Sequence, residues 1–113
     1  MTIAVTFLED QNWAIESPIK VVEGESITIA CTFWTTVTGT PTCAVYRNRS
    51  STAVTSTVMP AGSVSVNVSV VTLKPATAMV GGSRYTFAVT ATVSGNTRIK
   101  KFMAIVQKDE ELQ

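Results

Sequence analysis

The sequence predicts an all-β fold, and three features carry that prediction. Charged residues make up 15% of the 113 residues, which is low against a usual ~25%, and 45% are hydrophobic. Val, Ile and Thr alternate with other residues at a period of two, which suits strands better than helices. Turn-forming residues recur every ~8–12 residues, as in an antiparallel sandwich or barrel. The length predicts one domain, since domains most often have roughly 100–150 residues.

The first three strands are predicted from alternation and from the turns between them. Ile3, Val5 and Phe7 alternate with threonine and alanine, so a strand begins the chain. A short strand follows Pro18, from residue 19 to residue 22. A turn at residues 23–26 then leads into a third strand over residues 27–34.

The middle of the chain is richer in turn formers. Gly39 and Pro41 predict a loop over residues 37–42, and two strands, 43–47 and 53–58, then flank a turn at residues 48–51. The cleanest alternation follows, with valine at every second position, and it predicts one long uncharged strand over Val64–Val71. We expect that strand either to lie inside a sheet or to pair with a neighbouring chain.

The last third of the chain predicts a hairpin. A brief helical turn is expected between Pro75 and Met79, and strands over residues 85–93 and 98–107 flank a turn at residues 94–96. Together, residues 1–108 are expected to form one β-sandwich domain with an N-terminal extension strand at residues 1–16. Residues 109–113 are expected to be a polar, flexible tail.

Two segments resemble an immunoglobulin-like domain. Residues 22–33 resemble a glycine turn that leads into an alternating strand ending at an inward cysteine, and residues 82–89 resemble the sixth strand. In that family a tyrosine at the position of Tyr85 bonds back to the chain at one end of the sandwich. The position two residues later, a cysteine in antibody domains, is Phe87 here. The resemblance implies an immunoglobulin-like or fibronectin-III-like antiparallel sandwich of about seven to nine strands, without the antibody-type disulfide.

Single modules of this Thr/Val/Ser-rich, histidine-free kind occur in phage and prophage virion proteins. The resemblance therefore implies a virion-associated or prophage-encoded assembly protein. The first residues lack the positive region and long apolar stretch of a secretion signal, so we expect cytoplasmic synthesis, with the virion as a further location. No apolar run approaches ~18 residues, and no membrane span is expected.

The side chains give little support for catalysis. The chain has no histidine, and residues 26–108 hold no Asp or Glu, so a general acid or base is hard to place. We predict no enzymatic activity, cofactor, metal site or small-molecule substrate. Cys31 and Cys43 lack the spacing of a zinc site. They either meet as a pair across the core or remain two buried thiols, and the lack of a signal peptide favours thiols.

The basic residues lie apart from the acidic ones. Either the basic part of the chain meets phosphate or an acidic partner, or the acidic N-terminal segment folds back and neutralises it, and we expect the second. Nucleic-acid binding is not favoured, because the cations do not cluster with aromatic residues. It would use five side chains: Arg47, Arg49, Arg98, Lys100 and Lys101.

Contact surfaces therefore become the main functional candidates. If Trp34, Met103 and Ile105 share an outer sheet face, they form an apolar patch suited to a protein partner or to self-association as a homo-oligomer. Trp13 is a further candidate, although its segment, with Ile15, could instead cover the patch. We predict a non-enzymatic structural or interaction module. The alternative is a ligand-binding or adhesive module that contacts a glycan or protein through its end loops, at residues 37–42, 47–51 and 94–98.

Overall fold

A computed structural model describes residues 1–108, and the all-β prediction is confirmed for them. The predicted tail at residues 109–113 lies outside this range. Eight strands and one four-residue helix, α1, occur within it. The strands are β1 (Thr2–Thr6), β2 (Ile19–Val22), β3 (Thr28–Thr32), β4 (Val37–Arg47), β5 (Ser65–Asn67), β6 (Val70–Thr72), β7 (Arg84–Val93) and β8 (Asn96–Gln107), and α1 spans Thr55–Val58.

The strands form two four-stranded sheets, with strand orders β1-β3-β6-β5 and β2-β8-β7-β4. Strand β1 runs parallel to β3 and β2 runs parallel to β8, so both sheets are mixed. The prediction of a purely antiparallel fold is wrong at these two places. The chain leaves β1 in the first sheet and crosses to the second before forming β2, and parallel pairs arise from such crossovers rather than from hairpins.

Alternation along the strands builds the core between the sheets. In β7 and β8 the inward positions are buried, and Phe87 and Phe102, which are register partners, stack with ring centroids 4.7 Å apart. Phe7 lies 5.1 Å from the Phe33 ring and 6.4 Å from Phe102. Val5 and Phe7 are fully buried. Val5 of strand β1 and Phe7, the residue after the strand, are therefore part of the core.

Two predicted elements in the middle of the chain differ in the structure. Residues 37–42 belong to β4, where an irregular register between Thr38 and Thr42 accommodates Gly39 and Pro41 without ending the strand. The strand predicted over residues 53–58 is replaced by α1. Only Ala53 bridges β4, because the chain then turns, with the Thr55 hydroxyl accepting from the Val45 amide.

The long strand predicted over residues 64–71 is a hairpin of two three-residue strands, β5 and β6. Val66 and Val68 are exposed, so the valine alternation does not mark one buried face. Val68, with a φ of +56°, begins the turn. The helical turn expected at residues 75–79 is also absent, because Ala76 forms a two-way backbone bridge with Ile27.

Candidate functional site

The side of the sheet β2-β8-β7-β4 that points away from the core carries the candidate surface, called here the outer face. Strand β8 shows how the sequence creates it. Phe102, Ala104 and Val106 are buried against the core, so the residues between them, Met103 and Ile105, point outward and are half-buried. The structure thus places two of the predicted interaction residues on one face.

Strand pairing extends the outer face across the sheet. Met103 pairs with Thr86, which pairs with Tyr46 on the edge strand β4. Ile99, two positions before Lys101 on β8, is 53% exposed. The apolar and aromatic members of the outer face are Trp13, Ala44, Tyr46, Ala88, Ile99, Met103 and Ile105. Sequence reasoning did not select Ile99 or Tyr46, although the alternation of β8 already placed Ile99 on the side of Met103.

Trp13 joins the outer face at its margin. The Ala14 amide donates to the Lys101 carbonyl at 2.9 Å, and the Lys101 amide donates to the Asn12 carbonyl at 2.8 Å. Trp13 is therefore the register partner of Lys101 and points to the same side of the sheet. It is 44% exposed, and Ile15 is 58% exposed. The N-terminal segment thus widens the outer face along the edge of β8, and the covering arrangement that we considered is not formed.

Trp34 does not lie on the outer face. Its ring packs against Phe33, with centroids 5.8 Å apart, and faces the Lys100 ammonium at 5.0 Å and the Arg98 guanidinium at 5.4 Å. Lys100 occupies an inward position of β8, the opposite side from Met103. Trp34 therefore does not share a face with Met103 and Ile105, and it serves as a cation–π partner at one end of the sandwich.

Lys100 binds the N-terminal segment at the end of the sandwich where Trp34 lies. Its ammonium donates to the carbonyl oxygens of Gln11 at 2.6 Å and Glu9 at 3.1 Å. Burial lowers the pKa of Lys100, as does the charge of Arg98, whereas Asp10 and Glu9 oppose the shift. The Glu9 carboxylate lies 3.4 Å from Arg98. Of the expected neutralisation of basic strands by the acidic segment, the ion pair of Glu9 with Arg98 is formed in residues 1–108, and the other exposed basic side chains of the strands are left without acidic partners there.

This arrangement separates the cations considered for nucleic-acid binding. Arg98 and Lys100 are engaged as above, and Arg47 donates from Nε to the buried Ser83 hydroxyl at 3.0 Å. Only Lys101 and Arg49 remain exposed. The five cations therefore do not form one continuous surface.

The two cysteines are free thiols, with Cys31 buried in β3 and Cys43 half-buried in β4. Burial raises the pKa of Cys43 to about 12 and raises that of Cys31 further, with a smaller contribution from Cys43. Cys43 lines a cleft of about 490 Å³ between β4 and the Gly62–Val64 segment. Both thiols are held in the protonated form, which is a poor nucleophile.

Residues 1–108 provide neither a cluster of metal-ligating side chains nor a membrane-spanning helix. No group of three or more His, Cys, Asp or Glu side chains in this range could hold a metal ion. The helix found there, α1, is too short to cross a membrane. In comparisons with known proteins, no family model matches the chain and no curated protein matches it.

Proposed function

We propose that this chain is a non-enzymatic interaction module that binds a protein partner through the outer face. The observation that carries the proposal is the difference between the two sheet surfaces. The outer face presents an indole, three long apolar side chains and a phenol ring on one sheet surface. The exposed side of the other sheet is built largely from threonine and alanine pairs, such as Thr2 with Thr28 and Ala4 with Ala30. Apolar side chains grouped on one surface are typical of contact sites.

An immunoglobulin-like sandwich is the scaffold that we propose for this surface. The Tyr85 hydroxyl accepts a hydrogen bond from the Val80 amide at 3.0 Å, which is the contact expected at a tyrosine corner. Phe87 is fully buried where an antibody domain has its second cysteine. These features support the resemblance in residues 82–89, and the parallel pairing of β1 with β3 is an addition to that pattern.

The sheet edges are less suited to binding than the outer face. The edge of β4 is covered where the Val54 amide donates to the Val45 carbonyl at 2.7 Å. Strand β5 has three residues, and the free edge of β1 is closed at Thr6, whose amide donates to the Glu16 carboxylate. Short or covered edges resist pairing with another chain. Association by strand addition is therefore disfavoured relative to burial of the outer face.

Partner capture from an extract of the source organism tests the proposal. Met103→Asp places a charge in the centre of the outer face, and Ala30→Asp places one on the opposite sheet surface as a matched control. We expect a partner, whether another protein of an assembly such as a virion or a further copy, to be retained by the wild type and Ala30→Asp and lost with Met103→Asp. Equal retention by all three would contradict the proposal, with circular dichroism confirming that each variant folds.

A further inference from the structure

The four strands that carry the outer face, β2, β4, β7 and β8, hold cations and no Asp or Glu. Lys20 and Arg84 are the register partners of Ile105 on its two sides, so this aliphatic side chain lies between two positive charges. Lys101 lies between Trp13 and Ala88 in the same way. Arg49 borders a recess of about 230 Å³ that also includes Arg84 and Met103. No Asp or Glu occurs anywhere in residues 26–108.

These cations have no side-chain partners among the described residues. In residues 1–108 the side chains of Lys20, Arg49, Arg84 and Lys101 form no hydrogen bond or ion pair, and all four residues are exposed. Arg47, Arg98 and Lys100, by contrast, are engaged through Ser83, Glu9 and the N-terminal carbonyls. The four cations that border the apolar side chains of the outer face are thus all unpaired within residues 1–108.

We infer that the outer face binds a protein segment in which carboxylates flank apolar side chains, an inference that rests on the proposed function. Carboxylates on the partner would pair with Lys20, Arg84, Arg49 and Lys101 while its apolar side chains bury Met103 and Ile105. Arginine suits this role because its guanidinium can bind a carboxylate through two hydrogen bonds. The positive potential would also speed association with an acidic partner.

The same charges disfavour two other occupants. In a twofold dimer built on the outer face, the face would meet its own copy, and the four cations of each copy would approach those of the other. A nucleic acid would need phosphate contacts along a continuous basic path. Here Ile105 and Met103 separate the cations. An acidic protein segment with interspersed apolar residues fits the alternation of charge and apolar surface better than either.

A peptide titration followed by NMR tests the inference. The probes are a short peptide that alternates aspartate with leucine and a matched peptide that alternates lysine with leucine. We expect the acidic peptide to shift the amide NMR signals of Thr86, Met103 and Ile105, with an affinity that falls as the salt concentration increases. The basic peptide should leave these signals unchanged. Equal effects of the two peptides, or none from the acidic one, would overturn the inference.

Charge reversal at two exposed positions provides the second measurement. Arg84→Glu combined with Lys101→Glu should weaken binding of the acidic peptide about tenfold, which is about 1.4 kcal/mol for the pair. Lys74→Glu, remote from the outer face, is the control and should have little effect. A single-stranded oligonucleotide that shifts the same amides more strongly would identify a nucleic-acid partner and overturn the inference. So would light scattering that shows a dimer lost with Met103→Asp.

The two proposals fail in different ways. If Met103→Asp abolishes capture of the natural partner but the double charge reversal leaves that capture unchanged, the outer face is the binding site and only the acidic nature of the partner is wrong. If Met103→Asp leaves capture unchanged, the proposed function itself is wrong.

Discussion

At the scale of single residues, Val68 has a backbone conformation that β-branched residues rarely adopt. Its φ is +56° at the first central position of the turn between β5 and β6, and the residue is 66% exposed. Glycine is the usual residue at that position of a type II′ turn. We expect Val68→Gly to raise the free energy of unfolding by about 0.5–1 kcal/mol, because relief of the left-handed strain exceeds the added entropy of the unfolded chain.

Urea denaturation measures this change, and Val66→Gly is the matched control. Val66 is a neighbouring valine on β5 with an ordinary backbone conformation and 37% exposure. There, glycine should destabilise the protein by about 0.5–1 kcal/mol. If both substitutions changed the free energy of unfolding in the same direction, the backbone at Val68 would not be strained.

Cys43 gives a second prediction at this scale. A rise of its pKa from 9.0 to about 12 lowers the thiolate fraction at neutral pH about a thousandfold. We therefore expect iodoacetamide at pH ~8 to modify the native protein far more slowly than the urea-unfolded chain, as measured by mass spectrometry. Rapid modification of native Cys43 would show that the thiol ionises readily.

At the scale of secondary-structure elements, strand β1 together with Phe7, which continues its pairing with β3, should contribute as much to stability as an internal strand. Phe7 is fully buried against Phe33 and Phe102. Its replacement by alanine should lower the free energy of unfolding by about 3–4 kcal/mol, because the cavity lies between the sheets. Ile15→Ala, at a position that is 58% exposed, is the control and should change it by less than about 0.5 kcal/mol. Similar effects of the two variants would mean that the segment formed by β1 and Phe7 is peripheral.

The elements predicted correctly from the sequence are those whose alternation coincides with burial. β1, β2, β3, β7 and β8 all have this property, because their inward aliphatic and aromatic side chains are the core. The sequence did not predict the β5–β6 hairpin, because valines occupy both its buried and its exposed positions. The alternation of valines therefore does not show where the turn lies. Residues 53–58 were missed because the position of α1 depends on contacts with Val45, which lies in another strand.

The candidate site could also be predicted from the sequence only in part. Met103 and Ile105 could be placed on one face from the alternation of β8 alone. The separation of Trp34 from Met103 and Ile105 could not be predicted in this way. Trp34 follows β3 in the other sheet, and its position depends on how the two sheets pack. The burial of Lys100 could not be predicted either, because it follows from the carbonyl groups of residues 9 and 11 that the N-terminal crossover brings to it.

At the scale of the whole molecule, we expect the stability of the fold to be concentrated in the β7–β8 hairpin. These strands pair over ten residues of each, both lie inside their sheet, and their inward side chains include the stacked Phe87 and Phe102. Strand β5 is the opposite case, with three exposed residues at a sheet edge. Breaking the pairing of β7 with β8 would open the core, whereas separation of β5 from β6 would expose almost no new apolar surface.

Amide hydrogen exchange should therefore show a steep gradient across the molecule. Amides in the middle of β7 and β8 that take part in strand pairing should exchange only through global unfolding, and their protection should report the full free energy of unfolding. Amides of β5 should exchange through local opening, at rates that do not respond to mild denaturant. Because the outer face lies largely on β7 and β8, the residues proposed to bind a partner rest on the most stable part of the fold. If β7 exchanged as fast as β5, the surface would not be preorganised, and binding would have to include the cost of ordering it.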